Sequence, residues 1–302
     1  MKWARWRDAD HDDASILPGD RGVLPERAGI DAPRLVGGQR QALKRAVAQT
    51  PGYCAERRHG EVMQALGRAL AEDGRGAEST EALRRAVLAY HAAGDRARMA
   101  GALMDWGVAL TGTGSFEEAV TAHQAALTLV RELADWRREG VVLTNLGVAL
   151  SFAKRDQDAI AAFDAAVLLL TVAGVPAREA MALDGKGRVL ARLGQTDEAV
   201  TALSAAVEGF RKAGDRRHEA QSLAFLGAAL RRAGRAQDAE LALEQAAAAY
   251  RVAGEGRLEA QVQSALAASR RPCPASAPQQ GRQPGLGAET GPFPAMEPIL
   301  RG

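Results

Sequence analysis

Cysteine is nearly absent from this chain. Cys54 and Cys273 stand far apart and build neither a disulfide framework nor a Cys/His zinc spacing. Aromatic residues make up only 4%, so a core has to be assembled from Ala, Leu and Val, a palette that favours closely packed helices over sheets. No long apolar run exists: the most apolar stretch, residues 161–175, carries Asp164 and is too short to span a bilayer. The segment from Met1 to Asp8 leads into no hydrophobic run, which argues against a secretory signal. Neither sign of charge dominates, with 39 basic and 37 acidic side chains and a net charge of +2. That balance lacks the basic excess of a dedicated nucleic-acid or membrane-surface binder. Lysine is scarce, confined to Lys2, Lys44, Lys154, Lys186 and Lys212. We read the preference for Arg as the codon bias of a GC-rich bacterial genome rather than as phosphate recognition. The expectation is a cytoplasmic protein with no cofactor, no metal, no nucleic-acid partner and no membrane partner.

What the chain has instead is an internal repeat. A Gly-centred block recurs every forty residues as Leu66-Gly67-Arg68-Ala69-Leu70, Trp106-Gly107-Val108-Ala109-Leu110, Leu146-Gly147-Val148-Ala149-Leu150, Lys186-Gly187-Arg188-Val189-Leu190 and Leu226-Gly227-Ala228-Ala229-Leu230. Such a period implies a solenoid, in which each repeat buries its apolar face only against its neighbours. Each repeat reads as two antiparallel helices. In the second, Asp95 suits an N-cap, and Leu103, Trp106 and Leu110 form an apolar stripe. Gly112 and Gly114 are expected to break that helix, and Ser115 with Glu118 to form a capping box for the next. Gly94, Gly174, Gly214 and Gly254 mark the exits of second helices, with Ala134 the exception.

The repeated Gly is expected where two helices of a pair cross closely. Small residues follow at fixed offsets: Ser79, Ala119, Ala159, Ala199 and Ala239, then Ala86, Ala126, Ala166, Ala206 and Ala246. Leu83, Phe163, Leu203 and Leu243 fill the remaining space. His123 holds the matching place in the second repeat and reads as a packed, hydrogen-bonded core residue rather than a ligand or base. The domain plan is an irregular segment at 1–37, an array at 38–271 and a disordered Pro/Gly-rich tail at 272–302. The array comprises a partial repeat at 38–59, five full repeats over 60–259 and a capping helix at 258–271.

The Leu-Gly pair, the Leu three residues on and the two small residues of the second helix resemble the tetratricopeptide repeat. Two departures stand out. The usual repeat has about 34 residues. The Pro that normally closes the second helix is replaced by His91, Arg131, Thr171, Arg211 and Arg251. Longer repeats of this kind are similar to those of kinesin light chains, bacterial signalling regulators and actinobacterial ATPase-linked regulators. The resemblance implies an all-α fold, a right-handed α-solenoid of helix-turn-helix repeats with irregular tails, whose first helices line a concave groove. It places Gln64, Met104, Thr144 and Asp184 in one inner row, Arg68, Val108, Val148 and Arg188 in a second, and Thr111 and Ser151 in a third. The groove is expected to take a peptide with apolar anchors and an acidic flank across Met104 to Arg188. A chaperone-tail carboxylate clamp does not fit, since its register falls on Met104, Val108, Asn145, Met181 and Gly185, and only Asn145 matches.

Signs of chemistry are few. The five His residues form no HExxH spacing and no triad with a nucleophile elbow. The acidic run around His11 reads as solvated charge, not a metal site. Asp184-Gly185-Lys186-Gly187 resembles a phosphate loop only superficially, lacking the upstream Gly and the Ser or Thr after Lys. The leading expectation is a non-enzymatic scaffold that binds a peptide or partner protein. The alternatives are the sensor portion of a larger bacterial regulator or ATPase, and a signalling phosphatase of tetratricopeptide type.

Overall fold

A computed structural model describes residues 53–269, with side-chain burial defined for 55–267. The expectations for residues 1–37, for residues 38–52 of the partial repeat and for the tail at 272–302 lie outside the described residues. Eleven helices and no strand occur among the described residues. They fall into two compact units, divided between Asp135 and Trp136. The first holds α1 (Tyr53–Glu72), α2 (Gly76–Ala92), α3 (Arg96–Thr113) and α4 (Phe116–Glu132). The second holds α5 (Trp136–Phe152), α6 (Asp156–Ala173), α7 (Pro176–Arg192), α8 (Thr196–Ala213), α9 (Arg216–Arg232), α10 (Ala236–Val252) and α11 (Gly256–Ser269). Odd-numbered helices are the first of each repeat and even-numbered ones the second. Each pair opens a few residues ahead of the 60–259 frame drawn from the glycine block.

The turns recur every twenty residues and share one construction. A single residue with positive φ closes each helix: Gly74, Gly94, Gly114, Ala134, Lys154, Gly174, Gly194, Gly214, Gly234 and Gly254. The next amide then reaches back to a carbonyl five residues earlier, as in Asp95 to Tyr90, Ser115 to Leu110 and Asp215 to Phe210. This satisfies carbonyls that the helix end leaves open. The accepting residue is a buried large apolar or aromatic side chain in each of these turns, so the turn and the core are tied at the same place. Asp95 caps α3 as expected, accepting from the Arg98 amide. Two expectations are corrected. Ser115 makes no side-chain cap bond, so the capping box does not form. Gly112 does not end α3, which continues to Thr113 and closes at Gly114.

Within each repeat the glycine of the odd helix meets a large side chain of the even helix. A Cβ at Gly67 would stand 2.5 Å from Leu83 Cγ, one at Gly147 2.8 Å from the Phe163 ring, one at Gly187 2.7 Å from Leu203 Cγ and one at Gly227 2.8 Å from Leu243 Cγ. Those contacts leave no room for a methyl group, which is why the period appears in the sequence as Gly. The alanines of the even helices are buried across the same interfaces. Ser79 is tolerated in that column because its hydroxyl donates to the Gly67 carbonyl at 2.7 Å.

His123 occupies the large-residue seat of the second repeat. It is packed against Gly107 and buried, but the expected hydrogen bond is missing: Nδ1 has no partner among the described residues. Burial alone pulls its pKa down to about 4, so the ring is neutral. Gly185 and Gly187 also find their reason here. Gly185 gives way to the Phe163 ring and Gly187 to Leu203, so the phosphate-loop-like string is a packing feature.

Candidate binding face

The odd helices present the side chains that vary from repeat to repeat, while the packing columns keep Gly and Ala. In the first unit, α1 and α3 meet through a polar network. Gln64 Nε2 and Arg68 Nε both donate to Asp105 Oδ2 at 2.7 Å. The buried Tyr90 hydroxyl donates to Gln64 Oε1 at 3.1 Å, and burial pushes that phenol up to about 12. Gln64 and Arg68 are therefore committed to neighbouring helices as much as to the surface. Val108 is exposed at 37%, Met104 is half-buried beside it in sequence, and the Thr111 hydroxyl donates to the Gly107 carbonyl of its own helix.

In the second unit, Asn145, Val148 and Ser151 of α5 are half-buried, and Ser151 accepts from Arg192 of α7. Thr144 does not reach the surface. It is 5% exposed and its hydroxyl is used on the Gly140 carbonyl one turn earlier. Asp184 is also buried, its Oδ1 accepting from Ser222 Oγ at 2.7 Å. Arg188 lies with its guanidinium 4.6 Å above the Phe225 ring. Its side chain is 26% exposed, and the Asp184 carboxylate is 3.6 Å away.

Sequence reasoning missed Asp105 and Phe225. Both stand two residues before the repeated Gly, in a column with Ala65, Asn145 and Gly185. Both are met by the residue that follows the Gly one repeat earlier, Arg68 for Asp105 and Arg188 for Phe225, at a separation of 37. The row three residues before the Gly turns more deeply between odd helices, which is why Thr144 and Asp184 are buried. A search for pairs 37 apart in the forty-residue register finds both contacts.

No group of three or more His, Cys, Asp and Glu able to hold a metal occurs among the described residues. No described helix is long and apolar enough to cross a membrane. Paired helices repeated at forty residues, with a constant packing column and a variable odd-helix face, define an all-α helical-repeat protein. A sequence profile of the tetratricopeptide repeat family matches residues 98–167 and 178–251. The chain is a tetratricopeptide repeat protein. No curated protein matches it in sequence.

Solved structures share the fold. BtubC (BKLC) from P. vanneervenii has 17% identity and a TM-score of 0.60, covering 85% of this chain and 100% of that one. Aspartyl phosphate phosphatase F from Bacillus subtilis has 14% identity and a TM-score of 0.54, covering 80% and 68%. A signal transduction ATPase with numerous domains and a tetratricopeptide repeat sensor, from Pyrococcus horikoshii, has 15% identity and a TM-score of 0.54, covering 76% and 38%. At such identities the likeness is one of fold. The fold thus serves proteins as different as a phosphatase and the sensor of an ATPase.

Proposed function

We propose that this protein is a non-enzymatic scaffold that takes a peptide or partner protein on the face of its odd helices. The carrying observation is the division of labour within each repeat. The Gly and small-residue columns are buried and hold Gly or Ala at every seat but Ser79, whereas the residue after each Gly changes from Arg68 to Val108, Val148, Arg188 and Ala228 and stays at least partly accessible. Tetratricopeptide repeats as a family bind proteins and peptides, which supports the reading. The proposed contacts are Arg68, Met104, Val108 and Thr111 in the first unit, and Asn145, Val148, Ser151 and Arg188 in the second. Affinity purification from the source organism, with the intact chain and a Val148→Asp/Arg188→Glu variant side by side, tests it. A partner retained by the intact chain and lost from the variant is expected. A partner held equally by both rejects this placement.

A second reading has one observation in its favour. The likeness to the tetratricopeptide sensor of a signal transduction ATPase supports a role as the sensing portion of a larger regulator. Co-purification of an ATPase or a DNA-binding protein would favour it over a general adaptor.

A further inference from the structure

Within the second unit, we infer that the face centred on Arg188 receives an acidic segment of an extended partner chain. One partner carboxylate docks on Arg188, and an apolar side chain about three residues away docks on Val148. The inference rests on the reading of the odd helices as the binding face.

Arg188 is held by an aromatic ring and a loose ion pair and keeps its hydrogen-bonding capacity. Its guanidinium carbon lies 4.6 Å above the Phe225 ring centroid, a cation–π contact that holds the side chain in place while 26% of it stays exposed. Asp184 pairs with that guanidinium only loosely, as an ion pair without a hydrogen bond. Ser222 holds its Oδ1 at 2.7 Å, and the other oxygen stands 3.6 Å from Arg188, beyond hydrogen-bonding reach. No hydrogen bond to the Arg188 guanidinium forms among the described residues. The first unit supplies the contrast. In the same seat, Arg68 is hydrogen-bonded, donating through Nε to Asp105 at 2.7 Å. A partly exposed guanidinium that makes no hydrogen bond of its own is matched by a carboxylate, which accepts its N–H groups.

The adjacent seat is apolar. Val148 stands 37 residues before Gly185, whose side-chain position is filled by the Phe163 ring. Val148 therefore faces no polar partner at that place. Packed helices lie about 8–10 Å apart, the reach of about three residues of extended chain. This sets the spacing between the partner's apolar and acidic positions.

The charge of the second unit is sorted in the same sense. Counting Asp, Glu, Lys and Arg, net charge is +1, +2, +3 and 0 along α5, α7, α9 and α11. It is −3, −1 and −2 along α6, α8 and α10. Helix dipoles account for the acidic first turns of α6, α8 and α10 but not for the arginines that open the odd helices. Arg137, Arg138, Arg178, Arg216 and Arg217 sit in first turns, where a dipole disfavours positive charge. A basic set of odd helices attracts an acidic chain and directs it to the side where Arg188 is available.

The test uses random dodecapeptides displayed on phage, selected on the intact chain. Enriched sequences are then synthesised with a fluorescein label and titrated by fluorescence anisotropy. Enrichment of Asp or Glu with an apolar residue about three positions away is expected, together with affinity that falls as salt rises. Arg188→Gln should weaken binding about tenfold, the loss of one charge-assisted pair. Lys212→Gln, on an even helix, should leave it unchanged. Phe225→Leu should weaken binding by a smaller factor with circular dichroism unaltered, a second route should Arg188→Gln unfold. A Lys substituted for the peptide's acidic residue should rescue binding to Arg188→Glu. Peptides that lose binding on Val148→Asp but lack acidic residues, or ignore Arg188→Gln, overturn the acidic assignment and leave the odd-helix face standing. Peptides indifferent to both positions, or failure to enrich any peptide, overturn both.

Discussion

The glycines of the odd helices are steric requirements, and one pair of substitutions separates them from glycines that are not. A methyl group at Gly147 would stand 2.8 Å from a rigid Phe163 ring, whereas one at Gly112 meets nothing within 4 Å. Gly147→Ala should cost about 1–3 kcal/mol by overpacking, although Ala is the better helix former by about 1 kcal/mol. Gly112→Ala should gain about 1 kcal/mol. Urea denaturation of the two variants checks both signs. His123 offers a second test at this scale. Its folded pKa, about 4, lies below the ordinary imidazole value of 6.5, so the unfolded chain takes up the proton first as pH falls. The stability tied to this ring is complete above about pH 6.5 and drains away towards pH 4, a loss of about 3 kcal/mol. His123→Leu, the residue of three other repeats at this seat, should flatten stability between those pH values. It should also add about 1 kcal/mol at neutral pH by removing an unpartnered buried nitrogen. A variant whose pH profile overlays that of the parent would refute the neutral buried ring. The seat itself was legible in the sequence because His123 broke a column of Leu and Phe. The missing hydrogen bond was not, since partners in a packed interface come from residues distant in sequence.

At the scale of the element, the turn is the feature that most constrains the helices. Two of the ten positive-φ positions lack Gly: Ala134 at 53° and Lys154 at 63°. A side chain pays about 1 kcal/mol or more in that region. Ala134→Gly and Lys154→Gly should each stabilise the protein by about 0.5–1 kcal/mol, the strain relieved less the extra freedom given to the unfolded chain. Thermal melts read the gain. Ala134 was visible in the sequence as the exception among exit glycines, and the structure shows it in the glycine conformation all the same. Gly112 misled in the opposite direction. A Gly two residues before a true stop looks like the stop, but the chain turns where φ becomes positive, at Gly114. The capping box at Ser115 failed for a related reason. Residue types at the right spacing permit that motif, but the Ser115 amide that Glu118 would have to reach already donates to Leu110, and the Ser115 hydroxyl, unlike the carboxylates of Asp95 and Asp215 in the equivalent turns, makes no cap bond.

For the whole molecule, a forty-residue period carried most of what could be read in advance: helix pairing, the close approach of each pair and the identity of the packing columns. The binding face was readable only in part. Arg68, Val108, Val148 and Arg188 stay accessible to some degree, whereas Thr144 and Asp184 turn inward. Which of two adjacent columns faces out depends on contacts 37 to 41 residues away, as with Arg68 on Asp105 and Arg192 on Ser151. The period of a single helix does not contain that information. The central claim is that each repeat keeps one set of seats for folding and another for partners. A saturation mutagenesis scan scored by folded abundance tests it directly. It should show intolerance recurring every forty residues at Gly67, Gly107, Gly147, Gly187 and Gly227 and at the buried alanines, with Val148 and Arg188 tolerant. A scan without that period, or with Val148 and Arg188 as intolerant as Gly147 and Gly187, would contradict it.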